Sequence, residues 1–356
     1  MGVSGAGAVG DASRAGVARG DRGQAAVTAR ELRRDAPGAR EGALVRLAFV
    51  ALAAHAALSI FSAYAFSTFL AGPPPEWLQR PASQAALRLG WRFGGPTCVV
   101  LGALAALLHA TGKLGGARAL AIFATAFGIS LSAELLGTAT GYPFGPYAYT
   151  GQLGYRIAGL VPFNIPTSWF FMLYCSLAMC GRLLPAQAPP RRLGQARERW
   201  LWALTAGVVL TAWDVSMDPA MVRTTHWLWH LRPAAEQSAL ERFFLGDLFY
   251  GMPLSNWLGW LLTGTVVAWA MLGIVPPATF AHRVSPSRFP LLLYAVNGIL
   301  PIAICVRQGM AWAAVLGAVA MGVPLALAVR AAHPRPATSD QRSVIGNGGA
   351  GLTADR

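Results

Sequence analysis

The chain alternates between long apolar stretches and short segments that hold most of its charged residues. Each stretch is close to the roughly 20 helical residues that cross the ~30 Å hydrocarbon core of a membrane. The pattern therefore predicts membrane-spanning α-helices. The stretches lie near residues 44–70, 93–111, 118–139, 166–184, 200–221, 254–275, 289–306 and 311–330.

These stretches predict an all-α fold, a polytopic transmembrane helical bundle of about eight spans. Only residues 307–310 separate the last two stretches, so these could form a tight hairpin or one broken element, and a count of seven stays open. The predicted transmembrane domain covers residues 44–330. The segments 1–43 and 331–356 are predicted to be disordered tails, and the first is rich in Gly, Ala and Arg without apolar periodicity.

The composition agrees with a membrane protein. Hydrophobic residues make up 54% of the chain and charged residues only 12%, whereas about 25% of an average soluble domain is charged. The net charge of +14 would suit a nucleic-acid partner if the arginines formed a stripe on a folded surface. They lie instead in the N-terminal segment and between apolar stretches, which argues against nucleic acid.

The basic residues also predict the orientation of the bundle, because cytoplasmic loops of membrane proteins carry an excess of Lys and Arg. With eight spans, the N-terminal flank and the basic segments 113–118, 182–199 and 283–288 fall on one side. We therefore expect a multi-pass protein of the cell membrane with a cytoplasmic N-terminus. The long connections 140–165 and 222–253 would then lie on the other side.

Three acidic residues, Glu134, Asp214 and Asp218, lie within or at the end of apolar stretches. An ionisable group in hydrocarbon is costly, so each is a candidate for function.

Asp214 and Asp218 are four residues apart and share a helix face. Carboxyls that close do not both ionise readily, which leaves a neutral acid able to donate a proton. Asp247 and Asn256 arrive at the same end from the next loop and span. The alternative is a structural role, in which each acid satisfies a helix end or pairs with an arginine.

Aromatic residues surround these polar candidates. Ring faces can stabilise a cation that develops nearby, although Trp and Tyr are also typical of the belt at a membrane interface. The candidates for substrate binding are Tyr142, Phe144, Tyr147, Tyr149, Trp213, Asn256, Trp257 and Trp260.

No motif indicates a metal or a cofactor. The four cysteines lie inside apolar stretches without a CxxC pair. His226 and His230 are four residues apart, but no third ligand is evident. Neither a phosphate-binding loop nor a dinucleotide fingerprint nor a nucleophile elbow is present in the sequence.

Four ordered motifs resemble those of the carotenoid 1',2'-hydratase family, which includes bacterial hydratases of monocyclic carotenoids and haloarchaeal bisanhydrobacterioruberin hydratases. The resemblance covers about residues 44–330. The motifs are ELLGTATGYPFGPYAYT at 134–150, VPFNIPTSW at 161–169, WDVSMDP at 213–219 and YGMPLSNWLGW at 250–260.

The resemblance implies a hydro-lyase of carotenoid biosynthesis that needs no cofactor. It would add water across the terminal C1',C2' double bond of an open-chain ψ end group, on γ-carotene, lycopene or a similar carotenoid in the bilayer. The proton donor would be the Asp214/Asp218 pair, with Asp214 favoured as the deeper acid, and Glu134 or Asp247 would position the water with Asn256. Whether a glycosyltransferase takes the hydroxyl onward stays open.

Two other classes of protein fit the same residues. A proton-coupled transporter also carries acids in broken helices, although such sites tend to lie at the midplane between repeated halves. A membrane scaffold could present a carotenoid to other enzymes without reacting with it.

Overall fold

The computed structural model describes residues 11–70, 72–73, 75–184 and 192–331, with side chains from residue 38 onward except at 70, 192 and 193. This part of the chain is dominated by long helices. In chain order, its α-helices are α1 (Asp11–Ala65), α2 (Pro81–Leu114), α3 (Gly116–Thr140), α4 (Asn164–Leu183), α5 (Arg192–Arg223), α6 (Ala239–Leu245), α7 (Leu254–Ile274), α8 (Pro277–Thr279), α9 (Phe289–Arg307) and α10 (Ala311–Arg330).

The predicted all-α, polytopic bundle is confirmed, and each apolar stretch corresponds to one long helix. Seven of the described helices are long and apolar enough to cross a membrane; α4 is the long helix that falls outside this set. Every side chain of α4 from Pro166 to Cys180 is buried, so protein rather than lipid surrounds it. α9 and α10 are separate helices joined by a short turn, in which Gly309 adopts the left-handed φ of 71° that glycine accommodates without strain.

Helix α1 includes residues 11–43, for which the sequence predicts disorder. Alanine and arginine are both strong helix formers, which accounts for a helical backbone there. Residues 1–10 and 332–356 lie outside the described part of the chain, and the domain boundaries stay predictions.

The two long connections meet at one end of the bundle, which we name the loop end. Strand β1 (Tyr147–Tyr149) of the first connection pairs antiparallel with β4 (Trp227–Trp229) of the second. Within the first connection, β2 (Arg156–Ile157) pairs with β3 (Val161–Pro162). Because α3 finishes and α4 begins at this end, and α5 returns to it, α4 crosses the bundle like its neighbours.

Several basic residues lie at the opposite end, although Arg80, Arg88 and Arg92 lie nearer the loop end. Lys113, in the last turn of α2, forms an ion pair of 3.0 Å with Glu41 of α1. The guanidinium of Arg182, in the last turn of α4, donates to the carbonyls of Ser285 at 2.6 Å and Ala328 at 3.2 Å. The described residues Glu41, Lys113, Arg182 and Ser285, each from a segment that the sequence places on one side, therefore lie at one end of the bundle.

Glycines let α5 and α7 approach closely. A Cβ atom on Gly207 would lie 2.6 Å from Thr265 Oγ1, and one on Gly264 would lie 2.8 Å from Leu210 Cδ2. Small residues at a helix crossing allow backbones to come together in a membrane. This packing brings the acidic end of α5 against the first turn of α7.

Candidate active site

A cavity of about 610 Å³ opens at the loop end. This volume lies in the usual range for a small-molecule site. Its walls come from α1, α2, α3, α4, α5, α7 and α9 together with both long connections, and they are mostly apolar. The polar side chains in the wall include Glu134, Asp218, Asn164, Asn256 and Asn297.

The cavity opens sideways between helices. Phe61, Trp77 and Trp91 line it, yet they are 63%, 46% and 42% exposed, so they form its mouth. No residue of α2 from Pro81 to Leu101 is buried, which shows that this half of the helix covers the cavity only loosely. An apolar molecule could therefore enter from the hydrocarbon of the bilayer without crossing the loops.

Glu134 is held in the wall by three donors. Its Oε2 accepts from the hydroxyls of Tyr147 and of Tyr149, the latter at 2.8 Å, and its Oε1 accepts from Trp169 Nε1 at 3.1 Å. The tyrosines are two residues apart on β1, which points both rings to one side. Gly137, one turn after Glu134, leaves room for the ring of Tyr147, whose oxygen would lie 3.1 Å from an added Cβ.

The two tyrosines act as donors toward this carboxylate. Burial, together with the negative charge of Glu134, raises the pKa of Tyr147 and of Tyr149 well above the ordinary value. Both phenols therefore keep their protons across the physiological pH range, and Glu134 remains the acceptor in both hydrogen bonds.

Asp214 and Asp218 form the second acidic group, on the α5 face that meets α7. Asn256 Nδ2 donates to Asp214 Oδ2 at 2.9 Å and also to Asp218 Oδ2. All three side chains are buried. Asp218 lines the cavity, whereas Asp214 lies behind it. Helix α5 continues through Pro219 to Arg223, so Asp218 lies within the helix and not at its end.

Three indoles pack together beside the acids, and two of them, Trp213 and Trp260, line the cavity. Trp169 and Trp260 stack with ring centroids 4.4 Å apart, and Trp213 meets Trp260 edge to face at 5.9 Å. Because Trp169 also donates to Glu134, the stacked pair is fixed relative to that carboxylate. Indole faces next to buried acids suit a ligand that develops positive charge.

The structure brings most of the sequence-predicted residues to this cavity. The predicted residues that line it are Glu134, Phe144, Tyr147, Tyr149, Trp213, Asp218, Asn256 and Trp260.

Three predicted residues lie elsewhere, which corrects their assignment. Asp247 is exposed, and its Oδ1 accepts from the backbone N–H of Gly251 at 2.8 Å, so it stabilises a turn. Tyr142 is 73% exposed. Trp257 follows Asn256 directly, and one helical residue rotates a side chain by about 100°, which turns Trp257 away from the cavity.

Four residues of the site were not singled out from the sequence: Trp169, Asn164, His55 and Asn297. The first two belong to the 161–169 motif, which contains the signal for both. His55 is a buried polar residue in the first apolar stretch, a pattern that indicates function in a membrane helix. Its Nδ1 lies 2.8 Å from the carbonyl oxygen of Cys98.

His226, one of the two histidines that lie four residues apart, has an ordinary structural partner. Its Nδ1 lies 2.8 Å from Thr224 Oγ1. Burial lowers the pKa of His226 to about 4, so the ring is neutral at physiological pH.

Comparisons with known proteins point in one direction. A family model described as carotenoid biosynthesis protein matches residues 94–324. A bisanhydrobacterioruberin hydratase from Haloarcula japonica is 31% identical over 137 residues, which cover 38% of this chain and 39% of that protein. The aligned region thus spans well under half of the relative. No solved structure matches the chain.

Proposed function

Because this chain belongs to the carotenoid biosynthesis protein family, we propose that it is a hydro-lyase that adds water to the terminal C1',C2' double bond of a ψ end group. One observation carries the proposal: a buried acid pair, bridged by Asn256, stands at the wall of an apolar cavity that opens toward the bilayer. The name of the haloarchaeal relative, a hydratase, supports the same reaction class.

The acid pair supplies the proton. Carboxyls bridged by one amide do not both ionise readily, so the pair retains a proton that it can give to C2'. Asp218 delivers it, since Asp218 lines the cavity, and Asn256, which donates to both carboxyls, stabilises the negative charge that results. This reverses the preference for Asp214 drawn from depth along the helix.

Proton transfer leaves a tertiary cation at C1'. The indole faces of Trp213 and Trp260 and the charge of Glu134 lie in the same cavity wall and stabilise it. Water then adds to C1' and loses its proton to Glu134, whose carboxylate still has room for a further hydrogen bond. Glu134 then releases this proton and the acid pair takes one up, so the net change is the gain of one water with no oxidation or reduction.

The substrate is an apolar carotenoid with an open end, such as lycopene or γ-carotene, which reaches the cavity from the bilayer. The tertiary alcohol formed is an acceptor for a glycosyltransferase, which we place downstream. We also propose that the chain sits in the cell membrane with a cytoplasmic N-terminus. The collection of basic residues at the end opposite the cavity supports this orientation.

The test is expression of the full chain in cells that accumulate lycopene or γ-carotene, with mass spectrometry of the extracted pigments. Wild type should yield products heavier by one water, and Asp218→Asn should lose most of this product because the amide cannot donate the proton. Absence of the product from wild type with both substrates would refute the proposal. Unchanged product when Glu134, Asp214 and Asp218 are all neutralised would refute the roles given to these acids.

A further inference from the structure

The cavity wall contains a buried amide, Asn164, that makes no hydrogen bond to the acidic residues. Asn164 is the first residue of α4, at the loop end, and its side chain is 1% exposed. It lines the same cavity as Glu134 and Asp218. Neither its Oδ1 nor its Nδ2 has a hydrogen-bond partner among the described residues.

We propose that Asn164 binds the reacting water and presents it to the cation at C1'. This inference rests on the proposed hydration and adds a catalytic residue to it.

The hydrogen-bonding capacity of Asn164 Oδ1 and Nδ2 indicates which ligand they bind. A neutral amide offers one acceptor oxygen and two N–H donors, and here all of them are available. A molecule that satisfies both ends must both donate and accept, which a carotenoid hydrocarbon cannot do and water can. Since neither atom has a partner, this conclusion is the same whichever way the amide is turned.

The sequence suggests Asn256 as the amide that positions the water, but the Asn256 side chain already donates to the acid pair. Its Nδ2 donates to both Asp214 and Asp218. Glu134 in turn accepts from three donors, which leaves it able to take one proton from water but poorly able to hold a water alone. Asn164 supplies the missing donor, an N–H that orients the water oxygen.

The position of Asn164 is costly for the fold, which argues against a purely structural role. A buried polar group without a partner lowers stability. Leucine is similar in size and has no polar atoms to leave unpaired. Asn164→Leu should therefore fold at least as stably as wild type, while a residue needed for packing or capping would show the opposite.

The decisive experiment incubates the purified full-length protein in lipid nanodiscs with lycopene in D₂O. Mass spectrometry then measures how much deuterium enters the alcohol and how much enters the recovered hydrocarbon. In wild type, the deuteron goes to C2' and water captures the cation, so deuterium appears mainly in the alcohol. In Asn164→Leu, the acid pair still protonates the alkene but capture fails. The cation then loses a proton from C2' or an adjacent methyl group, and deuterium appears in recovered lycopene or its double-bond isomer.

We expect alcohol formation by Asn164→Leu to fall by roughly 100- to 1000-fold, the scale of losing one well-placed hydrogen-bond donor in an active site. The ratio of deuterated hydrocarbon to alcohol should rise accordingly. Asn164→Ser, which keeps a small group able to donate and accept, should recover part of the alcohol.

Thr167→Val is the matched control. Thr167 is also buried in the first turn of α4, but its hydroxyl donates to the Phe163 carbonyl at 2.8 Å. The control should keep the wild-type ratio.

Three outcomes would overturn the inference while leaving the hydratase proposal intact. The first is alcohol formation by Asn164→Leu at the wild-type rate. The second is an equal fall of alcohol and of deuterium in the hydrocarbon, which would mean that Asn164 acts on protonation. The third is unfolding of Asn164→Leu at a lower temperature than wild type, which would mean that the free amide is structural. Failure of wild type to form any alcohol would refute the proposed function itself.

Discussion

Asn256→Leu tests the acid pair as proton donor without removing either acid. Asn256 Nδ2 donates to Asp214 Oδ2 at 2.9 Å and to Asp218 Oδ2. When the pair gives up its proton, its negative charge grows by one, and these hydrogen bonds stabilise the charged carboxylate more than they stabilise the neutral acid. A hydrogen bond to a charged group contributes about 1.5–3 kcal/mol. Since ~1.4 kcal/mol of barrier is tenfold in rate, we expect hydration to slow by roughly 10- to 150-fold.

The assay is the initial rate of alcohol formation from lycopene by purified protein in nanodiscs, normalised to the amount of folded protein. Normalisation matters because leucine leaves two buried carboxyls without a donor and lowers stability as well. Trp257→Phe is the matched control, since Trp257 is the next residue of α7 but lies outside the cavity. An unchanged rate in Asn256→Leu, or an equal loss in Trp257→Phe, would refute the reasoning.

The remaining predictions concern the second long connection. Asp247→Asn should leave the hydration rate unchanged, because the Asp247 carboxylate only accepts from the Gly251 N–H. Substitutions away from a site usually change stability by no more than about 0.5 kcal/mol. A rate loss as large as that of Asp218→Asn would contradict this prediction. His226, with a pKa lowered from 6.5 to about 4 by burial, stays neutral in the folded protein while the unfolded chain binds a proton below pH 6.5. Folding stability should therefore fall as the pH drops from 6.5 to 4, by at most about 3 kcal/mol, and His226→Gln should make the melting temperature less dependent on pH over this range.

The helices of this protein could be predicted from the chain alone. Each apolar stretch is long enough to cross the bilayer. In hydrocarbon the backbone must satisfy its own hydrogen bonds, and a single segment can do so only as a helix. The same local rule places Asp214 and Asp218 on one face of α5, because their spacing of four residues is close to one helical turn.

The interior position of α4 could not be predicted in this way. Its stretch looks like the others in the sequence, and only the packing of the surrounding helices shows that it is buried from Pro166 to Cys180. The unpartnered amide of Asn164 is a consequence of that position, since a free polar group is recognisable only when every neighbour is known.

Tertiary contacts likewise decide which side chains lie in the site. Sequence proximity made Asp247, Tyr142 and Trp257 candidates, but a turn uses the first, the second faces outward, and helix rotation turns the third away. Local sequence sets which groups are available and which helix face they share. The pairing of β1 with β4 and the close approach of α5 to α7 depend on residues far apart in the chain, and these long-range contacts decide which groups meet in one cavity.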